Sequence, residues 1–301
     1  MLKKTLHSNG KLLLTGEYVV LDGATALAIP TKYGQFLEVD TFKKKAIHWK
    51  SFDEKGAVWF EDFFDLKNFE FKNEGDKISK TLSKILREAR KLNPDFLSED
   101  EGIQVTTKLE FPRNWGLGTS STLINNIAQW ANVNAFQLLK HSFGGSGYDI
   151  AAAQNNVPVL YEFKNETPEF KEVSLPWNFK ANLFFVYLNQ KQDSKEGISQ
   201  YRKNEVDEKI VQKISAISRK LPNCNSLSEF EKLMNLHEQL ISEIIKSPTI
   251  KEQLFNDYPH TIKSLGAWGG DFVLATGAEK DMDYFRKKGF KTVIPFSKMI
   301  Y

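Results

Sequence analysis

The chain has 301 residues, and its 41 Lys+Arg against 38 Asp+Glu leave a formal net charge of +3, too near neutral to suggest a nucleic-acid-binding or membrane-surface protein from charge alone. A hydrophobic content of 41% with 23 Phe and 6 Trp excludes an intrinsically disordered chain. The single cysteine, Cys224, excludes an internal disulfide or a cysteine zinc cluster and points to a reducing, cytoplasmic compartment. No apolar stretch of signal-peptide length follows Lys3-Lys4, and the most apolar segment, Ala181 to Leu188, falls short of the roughly 20 residues that span a bilayer. At about 150 residues per domain, the length predicts two domains or one large one.

From Lys11 to Phe64, β-branched and aromatic residues interrupted by Asp22-Gly23 and Asp53-Glu54-Lys55-Gly56 predict a run of strands with at least one hairpin. Apolar residues at Ile78, Leu82, Ile85, Leu86, Ala89 and Leu92 trace one face of a helix over 76–92, and Pro94 stops it. Ile103 to Leu109 reads as a strand, followed by a glycine loop and a helix through about Ala131. After Gly144-Gly145-Ser146-Gly147-Tyr148-Asp149 the pattern gives a short helix and strands around Val157 to Phe163, with the polar segment 164–172 as a turn or linker. Beyond Ala181 the texture changes. A strand at 181–188 precedes helical patterns at about 195–220, 227–246 and 249–256, a strand at 271–276, a helix at 281–288 and a last strand at 292–296. A domain boundary is expected between about 164 and 180, and no internal repeat is present.

Four segments can carry chemistry. In Trp115-Gly116-Leu117-Gly118-Thr119-Ser120-Ser121 the glycines allow close backbone approach, and the helix that follows offers unpaired N–H groups and a positive dipole end to a phosphate. It has neither the Walker lysine nor the dinucleotide glycine spacing, and alone it also reads as a capped helix start. In the second, Lys11 opens the apolar run Leu12-Leu13-Leu14 before Thr15-Gly16-Glu17-Tyr18. A lysine there is either a fixed charge for a phosphoryl group or a solvated strand edge. In the third, Asp149 stands beside Ser146 and Gly147 at the start of a small-residue helix, as an N-cap or a catalytic acid. The fourth is Lys263-Ser264-Leu265-Gly266-Ala267-Trp268-Gly269-Gly270-Asp271, a tight turn or a second ligand loop. The five histidines lack metal-ligand spacing, and Lys43-Lys44-Lys45 and Lys287-Lys288 read as solvated faces.

In order and spacing these segments resemble the signature regions of the GHMP small-molecule kinases, a superfamily that includes galactokinase, homoserine kinase, mevalonate kinase and phosphomevalonate kinase. The resemblance runs from Lys11 to Asp271. GKLLLTGEY, GSGYDIAAA and GGD look most like phosphomevalonate kinase, and VVLDGATALAIP is equally close to mevalonate kinase.

The resemblance implies an α+β fold of two domains, a ribosomal-protein-S5-like one over 1–170 and a ferredoxin-like one over 171–301, with the active site in the cleft between them. It implies that Trp115 to Ser121 wrap the ATP triphosphate, with the Ser120 hydroxyl at the Mg2+ site. Asp149 would orient or deprotonate the acceptor oxygen and Lys11 would stabilise the charge developing on it. Gly266, Ala267, Gly269 and Gly270 would close on the nucleotide, while Glu17, Tyr18, Ser146, Gly147 and Asp271 would meet the acceptor. That acceptor is expected to be mevalonate 5-phosphate or mevalonate, met by cations drawn from Lys11, Arg113, Lys191, Lys195 and Arg202. The protein is expected to act as a monomer or homodimer, with a small-molecule partner and neither nucleic acid nor membrane.

Three departures from the family pattern stand out. GLGTSST replaces the usual GLGSSA and keeps the hydroxyls. Trp268 brings a large ring into an otherwise glycine-rich loop, either stacking on a ligand or closing as a hydrophobic lid. No acid lies between Ser121 and Asp149, where mevalonate kinases carry a Mg2+-binding glutamate, so another acid completes the site or the metal rests on phosphates, Ser120 and water. An ATP-dependent mevalonate diphosphate decarboxylase and a catalytically inactive ligand-binding relative are the alternatives.

Overall fold

The computed structural model describes residues 3–72, 75–191, 194–266, 268 and 270–301, with the backbone alone at 194 and 195. The chain forms two compact units, one of residues 1–10, 33–113 and 118–154, the other of residues 11–32, 114–117 and 155–301. It therefore passes from one unit to the other several times, and two such passages fall inside the first two strands, β1 (Lys4–Thr15) and β2 (Ala26–Thr41).

In the first unit, β3 (Ile47–Phe52) and β4 (Val58–Phe64) form the expected antiparallel hairpin. The Asp53 carboxylate accepts the Lys55 and Ala57 amides and closes the turn at Gly56. Helix α1 (Lys77–Leu92) starts where the Asp76 carboxylate accepts the Ile78 amide at 2.7 Å. Strand β5 (Ile103–Leu109) runs parallel to β3 and antiparallel to β2, giving the local order β4-β3-β5-β2. Helices α2 (Thr119–Ala131), α3 (Ala135–Ser142) and α4 (Tyr148–Gln154) follow. Trp49, Phe64, Val105, Leu82, Leu86, Ile124, Ile127 and Leu138 form one buried core between this sheet and its helices. Helix α3 was not anticipated.

In the second unit, β6 (Val159–Lys164) pairs with β2 through Ala26 to Ala28, and β7 (Thr167–Glu172) pairs with β6. The polar segment expected as a linker is therefore an edge strand. Its side chains are almost all exposed, so burial could not mark it. Both strands belong to the unit that continues to the C-terminus.

Strand β8 (Leu183–Tyr187) is buried at every position, as expected. The single helical stretch read at 195–220 is two helices, α5 (Ser194–Tyr201) and α6 (Glu208–Lys220), the second capped by Asp207. Helices α7 (Leu227–Ile245) and α8 (Ile250–Leu254) precede β9 (Ile262–Ser264) and β10 (Phe272–Thr276). Helix α9 (Asp283–Lys287), β11 (Val293–Pro295) and α10 (Phe296–Met299) end the chain. The sheet order is β11-β8-β10-β9, antiparallel throughout, and Val186, Val273, Phe255, Tyr258 and Phe285 lie in its core. Among the described residues, no helix is long and apolar enough to cross a membrane.

Candidate active site

In the second unit, Lys11 is fastened to the glycine loop twice. Its amide donates to the Leu117 carbonyl at 2.9 Å and its ammonium donates to the Gly116 carbonyl at 3.3 Å. The strand-edge reading, with the lysine pointing to solvent, does not describe this geometry. Trp115 meets Phe272 edge-on at 5.3 Å, and the Tyr187 hydroxyl donates to the Asn114 carbonyl at 3.1 Å. Burial and the Asp271 charge push the Tyr187 hydroxyl pKa up, so it stays a neutral donor.

Gly116 has φ +67°, and a Cβ there would overlap the Asp271 carboxyl. Asp271 itself has φ +56°, a region that costs a non-glycine residue about 1–2 kcal/mol. Its amide donates to Gln190 and its carbonyl accepts from Leu188, each at 2.8 Å. Lys11, Trp115, Gly116 and Asp271, drawn from three of the four motifs, thus meet within one unit.

The remainder of the glycine loop belongs to the first unit. Gly118, at φ +92°, precedes α2, and the first intrahelical bond runs from the Thr122 amide to its carbonyl at 3.0 Å. The amides of Thr119, Ser120 and Ser121 therefore stand ahead of the helical ladder, where the dipole favours an anion, and no acid occupies that turn. The Ser121 hydroxyl donates back to Gly118 at 2.8 Å, whereas Ser120 is exposed. In the same unit Ser146 and Gly147 are buried, and the half-buried Asp149 lies inside the first turn of α4 rather than at its cap. One of its carboxylate oxygens accepts the Ile150 amide at 3.1 Å.

Glu17, expected to meet the acceptor, is turned inward. It is 0% exposed and pairs with Lys263, which is equally buried and lies 3.0 Å from Glu238. The Gly16 amide donates to His237 Nε2 at 2.9 Å. Burial raises the Glu17 pKa to about 7 even though Lys263 opposes the shift, and burial together with Lys263 drives His237 well below the usual histidine value.

Tyr18 has φ +64°, its hydroxyl accepts the Trp268 amide at 3.1 Å, and its ring stacks on Tyr201 at 5.5 Å. Tyr18 and Trp268, with Gly197, Gln200 and Lys203, line a cavity of about 450 Å³. Gly266 has φ +70° with open space around it, and Gly270 is buried. Ala267 and Gly269 lie outside the described residues, as does the Lys195 side chain.

Two of the proposed acceptor cations are already engaged. Arg202 pairs with Asp22 at 2.7 Å, and Arg113 stacks on Trp59 at 3.8 Å. Lys191 is exposed. His141, 46% exposed, lies 3.9 Å from Glu88.

Sequence reading gave no role to Lys263, His237, Glu238 or Tyr201. One signal was present. Phe230, Met234, His237, Ile241 and Ile244 share the buried face of α7, and a histidine on an apolar stripe marks a buried polar contact. Nothing local connects Lys263 to Glu17, because they are 246 positions apart.

No protein-family model and no curated protein matches the chain, but solved structures do. The Methanococcus jannaschii mevalonate kinase superposes with a TM-score of 0.72 at 18% identity, covering 97% of each chain. The Streptococcus pneumoniae phosphomevalonate kinase, solved with phosphomevalonate and AMPPNP, gives 0.69 at 14% identity over 95% of each chain. The Lactococcus lactis galactokinase, solved with galactose, gives 0.68 at 17% identity over 95% of this chain and 88% of its own. The α+β fold of this chain is that of the GHMP small-molecule kinases.

Proposed function

We propose that the protein is an ATP- and Mg2+-dependent phosphotransferase for a small anionic acceptor, mevalonate 5-phosphate or mevalonate. The observation that carries this reading is the Lys11 ammonium held at the Gly116 carbonyl, on a loop that runs directly into the first turn of α2, where Ser120 is exposed. A fixed cation on the glycine loop, and separately a helix N-terminus with no acid in its first turn, each suit phosphate oxygens. The fold neighbours solved with AMPPNP and phosphomevalonate, and with galactose, point the same way.

Under this reading the amides of Thr119, Ser120 and Ser121 bind phosphate oxygens, and Lys11 neutralises charge on the group in transfer. Asp149 orients the acceptor hydroxyl and takes its proton, while Tyr18 and Trp268 border the acceptor end. Among the described residues, no group of three His, Cys, Asp or Glu side chains could hold a metal. The exposed Ser120 hydroxyl still fits Mg2+, which is commonly bound by one or two protein oxygens plus substrate phosphates and water. Bound there, the ion would offset phosphate charge.

A coupled ADP-release assay with mevalonate, mevalonate 5-phosphate, mevalonate diphosphate, homoserine and sugars tests the reading. Acceptor-dependent ADP release without CO2 is expected with a mevalonate-type acceptor, and it should collapse in Lys11→Ala and Asp149→Asn. Release of CO2 with ADP would replace the kinase by a decarboxylase. ADP release no higher than in those variants for every acceptor would leave a binding protein.

A further inference from the structure

We propose that the Glu17–Lys263 pair, with His237 and Glu238, is a positioning device that holds Tyr18 in its left-handed conformation and so fixes the Tyr18 hydroxyl against the Trp268 amide. A tyrosine at φ +64° persists only where its surroundings over-determine it. The residues before it are held from two other elements. On α7, His237 accepts the Gly16 amide, and on β9, Lys263 pairs with Glu17. The ring is held on its own account. It stacks on Tyr201, and Gly197 leaves it room that any Cβ would take, 2.7 Å from the hydroxyl. Lys263 also stands three residues before Gly266, so one ammonium ties the turn that presents Tyr18 to the segment that presents Trp268.

The device carries a proton. Glu17, Lys263 and His237 are 0% exposed and Glu238 is 3%, and the groups facing Glu17 are Lys263 from β9 with His237 and Glu238 from α7. One lysine against two carboxylates leaves one negative charge in excess where water does not reach. The His237 Nε2 lone pair is taken by the Gly16 amide, yet Glu17 Oε2 lies 3.3 Å from that same nitrogen with no hydrogen-bond partner among the described residues. An ionised Oε2 at that distance repels the nitrogen lone pair, and protonation of Glu17 removes the carboxylate charge from the contact. Burial raises the Glu17 pKa to about 7, so the cluster is neutral below that pH and carries the unbalanced charge above it. This inference stands on the geometry of the second unit and does not depend on the phosphotransferase reading.

The test is amide hydrogen exchange of Gly16 and Trp268, followed by NMR in the full chain without ligand. In the wild type, protection at both amides is expected to fall as pH rises through about 7, beyond the intrinsic acceleration of exchange. Glu17→Gln keeps an oxygen for Lys263 but cannot titrate, and it should abolish that step. Lys263→Met should lower protection at both amides by at least about tenfold while the amides of β3 and β5 keep theirs. If Lys263→Met does not fold, the Glu17→Gln comparison decides alone. A pH step that persists in Glu17→Gln, or Lys263→Met loosening spread evenly over both units, would overturn the proposal.

Discussion

The Cα of Gly116 lies so close to the Asp271 carboxyl that no side chain fits between them, although 155 positions separate the two residues. That contact joins the glycine loop which receives the Lys11 ammonium to the end of the second glycine loop. The same contact explains why each loop needs its residue type, since Gly116 must lack a Cβ and Asp271 must accept a left-handed backbone.

Gly116→Ala and Gly266→Ala separate the two effects. Both glycines have positive φ, but only Gly116 faces an occupied space. Gly266→Ala is expected to cost about 1–2 kcal/mol of backbone strain. Gly116→Ala should cost clearly more, because it must also displace the Asp271 carboxyl or the loop. Urea denaturation gives both values, and equal losses would mean that the carboxyl moves away freely.

Asp149→Asn keeps the size of a half-buried side chain, so thermal stability should hold while turnover falls by about 10²–10⁴-fold. Lys11→Ala is expected to reduce turnover by about 10²-fold or more, and it also releases the Gly116 carbonyl. Ser120→Ala, at an exposed hydroxyl, should leave the melting temperature unchanged and raise the Mg2+ concentration needed for half-maximal rate. Steady-state rates at several Mg2+ concentrations check all three.

Stability should depend on pH with opposite signs at two acids, the buried Glu17 and the half-buried Glu162. Glu17 has its native pKa raised from 4.5 to about 7. The native state therefore binds this proton more tightly than the unfolded chain, and its contribution falls as pH rises from about 4.5 to 7. Glu17→Gln should flatten that slope.

Glu162 behaves in reverse. Burial alone would raise its pKa, but hydrogen bonds from Lys164, Thr25 and Arg219 outweigh burial and hold it at about 2. Its contribution is present above about 4.5 and is lost as pH falls toward 2. Glu162→Gln should remove the acid-side loss, and denaturation curves from pH 3 to 8 on the two variants separate the effects.

Trp268→Gly removes the one large ring from the glycine-rich loop. The Trp268 amide that meets Tyr18 is kept, while the ring bordering the cavity is lost. If the ring packs on the acceptor, KM for the acceptor should rise with little change for ATP. Equal changes for both substrates would assign the ring to loop packing.

Elements that bury one face were legible from their pattern. The stripe through Leu82, Ile85, Leu86 and Ala89 gives α1, and the alternation of Ile103, Val105 and Leu109 gives β5. Elements without such a contrast, or too short to display it, were not. Strand β7 exposes nearly all its side chains, β9 is three residues long, and α3 covers only eight. The break between α5 and α6 depends on the Asp207 cap, which sits in the largely charged stretch 202–209.

The sequence by itself determined the order of strand, glycine loop and helix, because turn chemistry and hydrophobic period act over a few residues, and its resemblance to the GHMP kinases singled out Lys11, Gly116, Ser120, Asp149 and Asp271. Only the tertiary structure decided which of these meet. It brought Lys11, Gly116 and Asp271 together in one unit and turned Glu17 away from solvent toward Lys263. It also cut the chain into units that exchange residues 11–32 and 114–117. Those outcomes depend on burial and on charge pairing between residues more than a hundred positions apart, and neither leaves a mark in local sequence.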